Sequence, residues 1–167
     1  MHTGMALTIA AAATAAALGC AQKPAATVAT IEEKLYTVTP DQVKVKTGIM
    51  SGEMTEMKVI ERVEKGSGRI DTPAKLVGKL KLTNSSTDQT VRLVGGKILY
   101  IDDQGQLIKI EEARTEPVLK FPTSYNTPDR LDPGQDTSQS VEVDFPAAAL
   151  QAKKLKEIRI ELAYIPS

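Results

Sequence analysis

Between Lys75 and Leu82 the chain alternates with a period of two. Leu76, Leu80 and Leu82 share one parity with Gly78, while Lys75, Lys79 and Lys81 take the other. Successive side chains of a strand point to opposite faces, so the octet reads as a half-buried strand with one apolar and one cationic face. The polar run Asn84 to Gln89 offers side chains that hydrogen-bond their own backbone. Alternation resumes in Thr90 to Val94, which predicts a hairpin. A second reversal is expected at Asp102-Asp103-Gln104-Gly105, where Gly105 tolerates a positive φ, joining Lys97 to Ile101 with Gln106 to Ile110.

Further alternating stretches flank this centre. Gln42 to Met50 and Glu56 to Glu64 read as strands separated by Ser51-Gly52-Glu53, and Glu64 to Arg69 breaks the pattern with two glycines before Asp71-Thr72-Pro73. Ile31 to Tyr36 is an entry segment, helical or extended. Glu111 to Arg130 holds three prolines and sustains no period, with a short strand around Val118 to Phe121. Leu131 to Gln135 is a turn and Ser138 to Phe145 a strand. Pro146 sits where a helix can start without losing a needed N–H, so a helical turn or two is expected over the alanines that follow. Ile158, Ile160, Leu162 and Tyr164 alternate with Glu157, Arg159, Glu161 and Ala163 in a final strand. The expected fold class is all-β: an antiparallel two-sheet sandwich of about seven strands with one short helix before the last.

A chain of 167 residues suits a single domain that buries roughly two thirds of its extended surface without disulfides. Its 21 basic and 21 acidic residues are interleaved, so no global basic field attracts nucleic acid, and no nucleic-acid partner is expected.

The first twenty residues differ from the rest. Met5 to Leu18 is almost wholly Ala, Leu, Ile and Thr, and no charged residue precedes Lys23. Such a run is too short to span a roughly 30 Å hydrocarbon core comfortably but suits the apolar part of an export signal. It ends in Ala17-Leu18-Gly19-Cys20, which holds the only cysteine of the chain and resembles the bacterial lipoprotein signal. Family signals usually begin with Lys or Arg, whereas here His2 is the only polar candidate. The resemblance implies removal of residues 1–19 and a thioether-linked diacylglycerol on Cys20, often joined by an amide-linked chain. Two or three chains, at about 0.8 kcal/mol per buried methylene, hold a protein essentially permanently. Ala21 rather than Asp after the cysteine resembles the pattern sent to the outer membrane in Gram-negative cells. Residues 20–34 are then the lipidated Cys and a flexible tether, and residues 35–167 the sandwich.

From Leu76 to Ile108, then LDPGQ, a strand, a Pro-initiated helix and a final strand, the order is similar to small bacterial immunoglobulin-like domains of the FxLYD type and to YcfL-like periplasmic lipoproteins. More distantly, it resembles the water-stress domain of late-embryogenesis proteins. The resemblance covers about residues 74–165 and implies an immunoglobulin-like sandwich, with no catalytic signature to carry over.

With His2 in the leader and Cys20 lipidated, the mature domain would have no imidazole and no thiol to serve as base, nucleophile or transition-metal ligand. No enzyme activity and no cofactor are expected. Gly95-Gly96-Lys97 lacks the flanking residues of a phosphate loop and reads as a β-bulge or a change of twist. Met50, Met54 and Met57 could offer thioethers to Cu(I), but without His they read as packing residues. Asp102 and Asp103 read as a turn rather than a Ca²⁺ loop. The cationic face of Lys75, Lys79 and Lys81 reads as the solvated side of a sheet. The expected role is that of a lipid-anchored envelope protein that binds or scaffolds another envelope protein. Its candidate contacts are Phe121 and Tyr125 in the proline-broken crossover and whichever strand lies at a sheet edge. The alternative is a carrier of a small ligand, lipid or metal, held between the sheets.

Overall fold

The computed structural model describes residues 27–111, 117–121, 130–152 and 154–167, in which nine strands and one helix form two antiparallel sheets. In chain order these are β1 (Ile31–Thr37), β2 (Val43–Thr47), β3 (Met50–Glu64), β4 (Ile70–Asn84), β5 (Val91–Asp102), β6 (Val118–Leu119), β7 (Arg130–Leu131), β8 (Asp136–Asp144), α1 (Ala147–Ala152) and β9 (Leu155–Pro166). The first sheet runs β1-β3-β4-β8, with β2 also on β3. The second centres on β5, which pairs β6, β7 and β9. The all-β sandwich with a single short helix before the last strand is therefore present, and seven of its strands have five residues or more.

The alternation read in Lys75 to Leu82 is real, but the expected hairpin is not. β4 pairs with β3 and β8, whereas β5 lies in the other sheet against β9, so residues 85–90 cross between layers. Face-packed sheets stand about 10 Å apart, a gap a six-residue connection spans easily. Asn84 directs the crossing. It is the one buried polar residue among the described ones; its amide donates to the carbonyls of Gln89 (2.7 Å) and Leu131 (3.1 Å) and accepts from Ser86 N–H (3.0 Å). Its backbone is held too, by Gln135 and Gly134. A side chain that satisfies both ends of the loop favours a corner over a tight reversal.

Other boundaries also move. The turn before β3 lies at Gly48 and Ile49, so Ser51, Gly52 and Glu53 are paired strand residues, not a separator. Asp71, Thr72 and Pro73 belong to β4, where a register shift between Ile60 and Arg62 accommodates the proline. Residues 31–34 pair with residues 64–61, so the sandwich includes Ile31 to Lys34 and does not begin at the expected Leu35. The reversal at Asp102 to Gly105 exists; Asp102 Oδ1 accepts from the N–H of Gln104 (2.9 Å) and Gln106 (2.8 Å). Beyond it only the bridge Ile101 to Leu107 forms, not a strand.

The core lies between the layers. Met50, Met54 and Val59 of β3, Leu76, Leu80 and Leu82 of β4, and Val141 and Val143 of β8 face Val91, Ile98 and Tyr100 of β5 and Ile158 and Ile160 of β9. Each large apolar side chain buried there contributes roughly 1.5–3 kcal/mol. Tyr100 spends its one polar atom on the carbonyl of Asp144 (2.7 Å), and its ring meets Phe145 edge-on, centroids 5.0 Å apart. Glycines set the closest approaches. At Gly96 a Cβ would lie 2.5 Å from the Glu161 carbonyl oxygen, and the neighbouring register shift between Leu93 and Gly95 is the bulge expected of the Gly95-Gly96 pair.

Candidate functional site

The cationic face of β4 is neutralised across the sheet. Lys75 meets Asp144 (3.1 Å), Lys79 meets Glu56 (3.5 Å) and Lys81 meets Asp136 (2.7 Å). The antiparallel register places β8 acids beside β4 lysines, since Lys75 lies opposite Asp144 and Thr83 opposite Asp136. The hydrogen bond and charge of Asp136 hold the Lys81 ammonium above the ordinary lysine range. Glu56 reaches Lys79 from a bulge, where two β3 residues stand against Gly78 and Glu56 takes φ 54°. This face thus presents paired charges rather than a bare basic stripe.

The methionines are core residues: Met50 and Met54 are fully buried and Met57 nearly so, with Met54 packed over Gly78, where a Cβ would come within 2.8 Å of its methyl. Among the described residues no cluster of three or more His, Cys, Asp or Glu side chains is placed to hold a metal ion. Tyr36 is perturbed as well. Burial first, then its hydrogen bond to Glu61 (3.1 Å), pushes the phenol upward. Glu111, from the segment after β5, accepts the N–H of Ala147 (2.6 Å) at the start of α1.

Two openings lie at the seams where sheet edges face one another. One, of about 530 Å³, runs between β2 (Lys44 to Thr47) and β9 (Glu157 to Leu162). The other, of about 520 Å³, lies between residues 117–120 around β6 and residues 139–144 of β8. At one end the first seam is tied shut by Tyr164, whose hydroxyl donates to the Thr47 carbonyl (2.9 Å) and accepts from Ile49 N–H (3.3 Å). Along the rest, β2 and β9 each lack a strand partner on this side among the described residues. Lys44 and Lys46 are exposed there and, unlike the β4 lysines, have no ion-pair partner among the described residues.

Of the residues singled out from sequence, Phe121 is half-buried and packs against the core. Cys20 and Tyr125 lie outside the described residues. Nothing in the sequence flagged the β2/β9 seam, because the pairing of Tyr164 with the Gly48 turn joins residues more than a hundred positions apart. No helix among the described residues is long and apolar enough to cross a membrane. No family model matches the chain and no curated protein does. A crystal structure of a conserved hypothetical protein from Bacillus anthracis is similar at 16% identity, covering 81% of this chain and 93% of that one, with a TM-score of 0.40. A likeness that slight bears on neither fold nor function.

Proposed function

We propose that the chain is exported, sheds residues 1–19 and is held to a cell-envelope membrane by acyl chains on Cys20. In Gram-negative cells this is the periplasmic face of the outer membrane. The sandwich then serves as a non-catalytic docking module for another envelope protein. The address rests on the apolar run ending in Ala17-Leu18-Gly19-Cys20. The docking role rests on one observation above all: the β2/β9 seam sets side by side two strand edges that have no strand partner there among the described residues, beside Lys44 and Lys46. An extended partner segment adding to such an edge gains main-chain hydrogen bonds along its length, and acidic side chains on it would meet the two lysines. Phe121 and Tyr125 are proposed as a secondary contact in the crossover. The resemblance to FxLYD-type and YcfL-like periplasmic domains supports the same reading.

Two measurements test it. Cell fractionation should find the native chain in membranes and Cys20→Ser in the soluble fraction. A photo-crosslinker at position 46 should capture a discrete protein in intact cells, whereas one at position 79, on the ion-paired face, should not. A chain that captures nothing from position 46 and retains a small molecule in native mass spectrometry is a carrier instead.

A further inference from the structure

Eight large apolar side chains stand exposed among the described residues, and three of them, Val28, Ile31 and Ile70, lie where the chain enters the first sheet, Ile31 and Ile70 flanking the end of β3 on its two neighbouring strands. That end is the β3–β4 turn with the chain entry beside it. Ile31 lies opposite Glu64 and Ile70 opposite Val63, and the Lys65 N–H donates to the Thr30 carbonyl (2.8 Å). The entry strand is therefore fixed against the turn, and the route to Cys20 leaves from the same tip.

We propose that this tip, formed by Val28, Ile31, Ile70 and the turn from Lys65 to Arg69, rests in the headgroup layer of the membrane that holds Cys20. The inference depends on the lipid anchor proposed above and adds to it an orientation and a second contact. Chain length constrains the geometry. Thr30 lies ten positions after Cys20, a reach of at most about 35 Å. The fifteen residues of β3 span roughly 45 Å, so the opposite end, around Gly48 and Thr87, stands well away from the bilayer once the tip is down. Upright placement covers the exposed Val28, Ile31 and Ile70 and leaves the β2/β9 seam open to the periplasm.

The contact is apolar rather than electrostatic in origin. Around the tip, Glu32, Glu33, Glu61, Glu64 and Asp71 outnumber Lys34, Arg62, Lys65 and Arg69, and Arg69 is paired with Glu64 at 3.2 Å. With no net positive charge, the tip gains little from anionic lipid, and its acids restrict it to the interfacial few ångströms.

The chain has no tryptophan, so a single introduced one reports depth without background. The full acylated protein, carrying Ile70→Trp or Thr87→Trp at exposed positions, is reconstituted into phosphatidylcholine vesicles containing brominated acyl chains. The expected result is quenching several-fold stronger at position 70 than at position 87, unchanged when a fifth of the lipid is made anionic. In the Ile70→Trp protein, Val28→Ser together with Ile31→Ser should weaken the quenching while the protein still floats with the vesicles. Equal quenching at the two positions, or none at position 70 in vesicle-bound protein, overturns the orientation and leaves the anchor standing. A chain whose Cys20 is unmodified by mass and which stays out of the vesicles overturns both.

Discussion

The Tyr164 hydroxyl occupies the space that a side chain on Gly48 would need. A Cβ built on Gly48 falls onto that oxygen, and the glycine holds φ 56°, a conformation L residues adopt only under strain. The two residues belong to different sheets, and their contact closes one end of the β2/β9 seam. Tyr164→Phe removes hydrogen bonds to Thr47 and Ile49 and should cost about 1 kcal/mol in urea unfolding. Gly48→Ala should cost about 2–3 kcal/mol alone but about 1 kcal/mol less in the Tyr164→Phe background, because only the backbone strain remains. Additivity within about 0.5 kcal/mol would show that the two do not compete for one space.

Asn84 is expected to be the polar residue whose loss hurts most. Asn84→Leu leaves the carbonyls of Gln89 and Leu131 without their donor and should destabilise by about 2–4 kcal/mol, with the native sheet content retained by circular dichroism up to the earlier transition. Ser86→Ala, which alters the exposed part of the same loop, should cost no more than about 1 kcal/mol.

Two glycines separate steric need from conformational need. Gly96→Ala drives a methyl against the Glu161 backbone and must part β5 from β9, so a loss of about 2–3 kcal/mol is expected. Gly105 holds φ 80° in open space, and Gly105→Ala should cost only about 1 kcal/mol. Thermal melts of the two variants rank them directly.

Alkaline pH should weaken the fold through Tyr36 and Lys81. Both titrate higher in the folded chain than their ordinary values of 10.0 and 10.5, so the protonated forms favour folding. That contribution is complete below pH 10 and is lost as pH rises through the folded-state values. Melting temperature should therefore be insensitive to these two groups across neutral pH and fall above pH 10, and Tyr36→Phe should lose part of that fall.

Much of this architecture was legible because period-two alternation depends only on which face is buried. The apolar parity of Leu76, Leu80 and Leu82, the final strand and the helix after Pro146 all follow from side-chain direction or from the missing proline N–H. Partner choice was not legible. The same alternation in residues 75–82 and 90–94 serves a hairpin or a crossing between sheets, and what decides is the reach of Asn84 to Leu131, far away in sequence. Ser51-Gly52-Glu53 looked like a break because Gly52 carries no side chain, yet it is that absence which lets β3 lie against Leu82 and Val45. The seam escaped notice for the same reason, since an edge is defined by the strand that is not beside it. Chemistry alone makes Met50, Met54 and Met57 packing residues, and all three lie in the core.

The intact mass of the protein extracted from membranes with detergent decides whether the chain is lipid-anchored. The expected species begins at Cys20 and carries the added mass of a diacylglycerol, with or without a further acyl chain, all of it confined to the N-terminal peptide. A chain that retains Met1 and a free Cys20 thiol would contradict it, removing the envelope address and returning an imidazole and a thiol to the mature protein.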